Sequence, residues 1–123
     1  MTYRIALSLL FFAISMPASA HDIFIDFSWQ GVPGCQSLSR SPRMTIRGFP
    51  NEAKRVLLRL TIGNVGNVEK GGEEVDLPTS GVLPEGAVTT YGPCNPGMYR
   101  WTAIFKSATG KIVAETYVDK AFP

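Results

Sequence analysis

The chain predicts an all-β fold, a sandwich of short strands with little or no helix. Three observations carry this expectation. Apolar residues recur with a period of two in one stretch after another, clusters of glycine and proline end each stretch, and nothing beyond residue 20 sustains the period of an amphipathic helix.

The first twenty residues stand apart from that pattern. A single basic residue, Arg4, precedes the apolar run Ile5 to Ile14, and Ala18-Ser19-Ala20 follows, the order of a secretory signal peptide with its small-residue cleavage site. Cleavage there starts the mature chain at His21. About ten apolar residues fall well short of the roughly 20 that a membrane-spanning helix needs, and no later segment is apolar for long enough. The expectation is a signal peptide over residues 1–20 and one β-domain over residues 21–123, periplasmic or secreted, with no transmembrane segment in the mature chain.

The strands follow in order. Ile23, Ile25, Phe27 and Trp29 alternate with Phe24, Asp26 and Ser28, which buries one face, until Gly31-Val32-Pro33-Gly34 stops the run. Met44 and Ile46 alternate with Arg43, Thr45 and Arg47 in a second strand, ended at Gly48-Phe49-Pro50, where proline removes a ladder donor. Residues Arg55 to Ile62 form a third, with Val56, Leu58, Leu60 and Ile62 on one face and Leu57, Arg59 and Thr61 on the other. The glycine-rich middle, Gly63 to Val88, reads as loops and short edge strands. From Met98 to Lys106, Tyr99, Trp101, Ala103 and Phe105 alternate with Arg100, Thr102 and Ile104, and a turn over Lys106 to Lys111 leads into a last strand from Ile112 to Val118.

Composition excludes some partners. Without Arg4, the only charged residue of the signal segment, the formal charge falls from +2 to +1. No basic excess points to nucleic acid or to an anionic membrane surface. Cys35 and Cys94 are the only cysteines, and an even number in an oxidising compartment reads as one disulfide. Such a bond would close a loop of nearly sixty residues, and on the chain-entropy model it contributes about 4 kcal/mol. A pair of metal or redox thiols is the rival reading, and it lacks both a CxxC spacing and a nearby histidine.

Two blocks carry a family resemblance. The first is Ser41-Pro42-Arg43-Met44-Thr45-Ile46-Arg47-Gly48-Phe49-Pro50-Asn51-Glu52-Ala53-Lys54-Arg55-Val56, and the second is Tyr91-Gly92-Pro93-Cys94-Asn95-Pro96-Gly97-Met98-Tyr99-Arg100-Trp101. In order and spacing they resemble signature blocks of the phosphatidylethanolamine-binding protein family, the Raf kinase inhibitor-like proteins. Ser41-Pro42, Met44, Ile46, Gly48, Pro50 and Lys54 fall on the first pattern, and Gly92-Pro93, Pro96-Gly97, Arg100 and, as an aromatic replacement, Trp101 on the second. The resemblance implies a reduced β-sandwich of that type, a non-enzymatic module binding a small anionic or polar group or a protein partner. The family builds its anion pocket from an aspartate-proline-aspartate motif and two histidines. Here Thr61-Ile62-Gly63-Asn64-Val65-Gly66-Asn67 follows the core strand, and Tyr99 occupies the histidine position of the second block. A surviving pocket would therefore use other groups: Arg100 as charge anchor, Tyr91 and Tyr99 as hydroxyl donors, and Gly92, Pro93 and Gly97 shaping the loop. Alternation alone offers a different account, with Arg100 on the solvent side of a strand and Tyr99 and Trp101 on its core side.

Other chemistry has less to work with. An enzyme needs a nucleophile with its base, a paired acid and base, or a metal with an open position. His21 is the only histidine, Glu73, Glu74 and Asp76 read as a solvated acidic face, and neither a Walker loop nor GxGxxG is present. No catalytic residue and no resident cofactor is expected. One metal option exists: signal cleavage would place the His21 α-amine beside its imidazole, a bidentate nitrogen chelate suited to Cu(II). A third possibility is a structural or adhesive sandwich that works by strand pairing, through an exposed edge such as the first or last strand.

Overall fold

The computed structural model describes residues 22–63 and 69–123. The expected signal peptide and His21 lie outside the described residues. The described residues form nine strands: β1 (Phe24–Phe27), β2 (Ser39–Arg40), β3 (Met44–Arg47), β4 (Arg55–Ile62), β5 (Glu69–Asp76), β6 (Val82–Leu83), β7 (Thr89–Thr90), β8 (Gly97–Lys106) and β9 (Ile112–Phe122). All pairings are antiparallel, and the described residues form no helix long and apolar enough to cross a membrane. The all-β expectation holds.

Two sheets face each other. A four-stranded sheet runs in the order β5-β4-β8-β9, and a three-stranded sheet in the order β1-β3-β6, with β2 and β7 pairing separately as a small ribbon. Val56, Leu58 and Leu60 of β4, with Tyr99, Trp101, Ala103 and Phe105 of β8, form the inner face of the larger sheet. Ile25, Phe27, Met44 and Ile46 meet them from β1 and β3, and the group is one continuous core. The alternation read from the sequence is the alternation of burial, because successive side chains of a strand point to opposite faces.

Aromatic rings close one end of this core. Trp29 meets Phe27, Tyr99 and Phe122 edge-on, with centroids 5.0, 6.1 and 5.6 Å away. Its indole donates to the Lys120 carbonyl at 3.3 Å, which ties the segment after β1 to β9. Trp101 differs. It is fully buried, and its indole nitrogen has no hydrogen-bond partner among the described residues.

The glycine-rich middle departs from expectation in one respect. β5 is not a short edge strand: it runs eight residues and pairs with β4 along its length, with a register shift between Arg59 and Thr61. Its sequence, Glu-Lys-Gly-Gly-Glu-Glu-Val-Asp, has low strand propensity. Backbone pairing with β4 holds it, and its acidic side chains meet cations across the strands. Arg55 bonds Glu74 at 3.0 Å and also Asp76, Lys106 reaches Glu74 at 2.7 Å, and Arg59 pairs with Glu69. The acidic cluster read as a solvated face is thus a set of ladder partners, with Glu73 accepting the Thr89 amide at 3.0 Å. The last strand also extends past Val118 to Phe122.

Candidate functional site

The loop before β8 is built around the disulfide. Cys35 and Cys94 are bonded, with S–S 1.99 Å and Cα atoms 4.1 Å apart. The Cys35 amide donates to the Pro93 carbonyl at 3.0 Å, so the two segments are joined by backbone as well as by sulfur. Pro93 is fully buried. Gly92 is buried against β2, and a Cβ there would stand 2.7 Å from the Ser39 Cβ, closer than such atoms approach, so only glycine fits. Gly97 opens β8 opposite Phe122. Gly92 and Pro93 therefore set the path of the loop by packing.

The polar residues read from the sequence point in three directions. Tyr99 is 3% exposed and faces the core, and its hydroxyl donates to the Asn95 carbonyl at 2.8 Å, bracing the loop from beneath. Tyr91 is exposed beside Gly71 of β5, its amide donating to the Lys70 carbonyl at 2.6 Å. Arg100 lies on the outer face of the four-stranded sheet. Its Nε and Nη2 donate to the two carboxylate oxygens of Asp119 at 2.8 and 3.0 Å, and its guanidinium sits 3.9 Å from the centroid of the Tyr117 ring. The hydrogen bond to Asp119 holds the Arg100 pKa above its already high ordinary value, against a smaller opposing effect of desolvation. The tyrosines and Arg100 do not converge on one pocket.

What Arg100 does join is a grid of polar residues on that outer face. Reading across the sheet, Glu69, Thr61, Arg100 and Asp119 form one row, and Arg59, Thr102 and Tyr117 continue the next. Leu57, Ile104 and Glu115 follow. Arg59 and Arg100 are diagonal neighbours on β4 and β8, and each is drawn outward by an acid, Glu69 on β5 and Asp119 on β9. Between them lies a shallow cleft of about 350 Å³, lined by Thr61, Thr102 and Ile104 with Arg59, Arg100, Glu69 and Glu115.

The cleft is balanced in charge, because Glu69 and Glu115 offset Arg59 and Arg100. A bare anion must compete with carboxylates already bonded to both guanidiniums. A polar group with its own donors and acceptors competes less, because it can use Thr61, Thr102 and the remaining guanidinium protons together. Arg59, Thr61 and Thr102 were visible in the sequence as the polar side of two alternating strands, but their meeting with Glu115 and Glu69 depends on register. No group of three or more histidine, cysteine, aspartate or glutamate residues among the described residues is placed to hold a metal ion. No protein-family model, no curated protein and no solved structure matches the chain.

Proposed function

We propose that the chain is a non-enzymatic binding module, periplasmic or secreted, which resembles the phosphatidylethanolamine-binding proteins and holds a small anionic or polar group, or a polar segment of a protein partner, on the outer face of its larger sheet. The observation that carries this reading is the cleft between Arg59 and Arg100, floored by the hydroxyls of Thr61 and Thr102. Arg100 is its anchor, pre-oriented by Asp119 and Tyr117 so that little side-chain freedom is lost on binding.

The test is a thermal-shift titration with phosphate, phosphoethanolamine, a short-chain phospholipid and Cu(II). A ligand at a hundred times its Kd that binds only the folded state stabilises it by about 2.7 kcal/mol. Phosphoethanolamine, whose ammonium can meet a cleft carboxylate while its phosphate meets Arg100, is expected to raise the melting temperature of the wild type more than inorganic phosphate does, and neither is expected to raise that of Arg100→Ala. Equal shifts in both proteins overturn the site. A shift with copper alone transfers the function to the His21 chelate.

A second reading rests on the edge of β9. This strand is eleven residues long, pairs only with β8 among the described residues, and exposes Ile112 and Tyr117. An open edge of that length can accept another strand. Concentration-dependent association without small ligand, lost in Thr116→Pro, would favour this structural or adhesive role.

A further inference from the structure

Five of the six described arginines form two contrasting groups, and the sixth, Arg47 of β3, lines neither of the hollows beside Arg40 and Arg43. Arg55, Arg59 and Arg100 are each bonded to a carboxylate. Arg40 and Arg43 form no ion pair with any described residue, and both line hollows on the side of the molecule formed by residues 28–43. One hollow, of about 270 Å³, is lined by Ser28, Gln30, Pro42 and Arg43. The other, of about 250 Å³, is lined by Pro33, Gln36, Leu38 and Arg40. Gly31, Val32 and Glu85 line both, so the two adjoin as one groove.

Arg40 is held in place there without an acid. A Cβ on Gly86 would lie 2.6 Å from its Nε and 2.7 Å from its Nη2, so the guanidinium lies against a glycine that adopts φ +81°. The wall carrying Gly86 is itself latched. The Gly86 amide donates to the Ser41 carbonyl at 2.8 Å, the Val88 amide to the Ser41 hydroxyl at 3.0 Å, and the Ser41 amide to the Val88 carbonyl at 2.8 Å. Arg40 is further fixed by the pairing of β2 with β7, opposite Thr89. A planar donor fork is thus set beside a groove with no carboxylate bonded to it.

The remainder of the lining defines what would sit on that fork. Val32, Pro33 and Leu38 are apolar, and Leu38 is 67% exposed. Two cations stand against the single carboxylate of Glu85, which leaves room for one negative charge and opposes a second. We propose that this groove binds a carboxylate borne on an apolar group, with Arg40 and Arg43 as donors and Val32, Pro33 and Leu38 packing the apolar part. Small organic acids and the C-terminus of a peptide ending in an apolar residue share that chemistry.

The experiment is an NMR titration of the protein with N-acetyl-leucine, its neutral amide, hexanoate and inorganic phosphate. The acid is expected to bind, to shift the amides of Gly31, Val32 and Gly86, and to bind about tenfold or more tighter than the amide, because charge-assisted hydrogen bonds are lost with the charge. Arg40→Ala and Arg43→Ala each weaken it about tenfold, Arg40→Lys weakens it less, and Glu85→Gln tightens it. Hexanoate binding as tightly as N-acetyl-leucine identifies an organic-acid site, and a preference for longer peptides with a free C-terminus identifies a peptide-end site. Equal binding of acid and amide overturns the proposal, as does unchanged affinity in folded Arg43→Ala and Glu85→Gln. Shifts confined to Arg59, Thr61 and Thr102 would overturn it while leaving the outer-face site standing.

Discussion

The two faces of the four-stranded sheet use the same two strands for opposite ends. On the inner face, Leu58, Leu60, Trp101 and Phe105 are stripped of water and hold the sandwich closed. On the outer face, one residue further along, Arg59, Arg100 and Thr102 are half-buried, and the two arginines meet acids across the strands. Burial of apolar area contributes about 25 cal/mol per Å², whereas exposed ion pairs contribute little after screening and side-chain entropy. One face therefore carries stability and leaves the other free to be chosen for recognition.

Substitutions should separate the faces sharply. Trp101→Ala, which empties a fully buried site, is expected to lower stability by about 3–5 kcal/mol in chemical denaturation. Trp101→Phe should cost clearly less, because the phenyl ring refills much of the space that Ala leaves empty, and the indole N–H that both variants remove has no partner among the described residues to lose. A Trp101→Phe cost as large as that of Trp101→Ala would mean that the lost N–H was satisfied in the folded protein. Reduction of the Cys35–Cys94 bond, or Cys94→Ser, should cost about 2–4 kcal/mol, read as a lower denaturation midpoint.

Acid should reach the outer face first. The hydrogen bond from Lys106, then that from Arg55, holds the Glu74 carboxyl below its ordinary value of 4.5. A carboxyl depressed in the folded state stabilises the fold above its unfolded pKa, and that contribution is lost as pH falls from about 4.5 through the folded value. Glu74→Gln should therefore flatten the acid limb of the stability profile, and an unchanged limb would remove Glu74 from it. The smallest effect on stability belongs to Arg100→Ala, which should leave the melting temperature nearly unchanged while removing the response to phosphate-bearing ligands.

Legibility from sequence followed the same division. The inner face was readable because period-two hydrophobicity is a local signal, and β4 coincides with the run read as Arg55 to Ile62. β5 was not readable as a full strand, because its residues are held by partners on β4 and β8 rather than by their own propensity. The end of β9 was missed because Lys120 breaks the alternation: it occupies an inward position, beside the Phe27 ring and paired with Asp26 at 3.7 Å. β2, β6 and β7 span two residues each, too few to show a period. Of the site, Arg100 was identifiable by type and place, but Asp119 joins it only through the β8–β9 register. The pairing of Cys35 with Cys94 needed no register, since no other cysteine competes.

The disulfide has a consequence for how the chain assembles. β4 pairs with β8, and the cysteines are 59 residues apart, so both links enclose the stretch that contains β5, β6 and β7. A chain emerging from its N-terminus holds one half of the central ladder and one of the two sulfurs until the segment from Cys94 to Lys106 arrives. Sheet centre and cross-link thus become possible together. Once the sulfur bond has formed, it bears part of the entropic cost of closing that long loop, which β4 and β8 would otherwise meet alone.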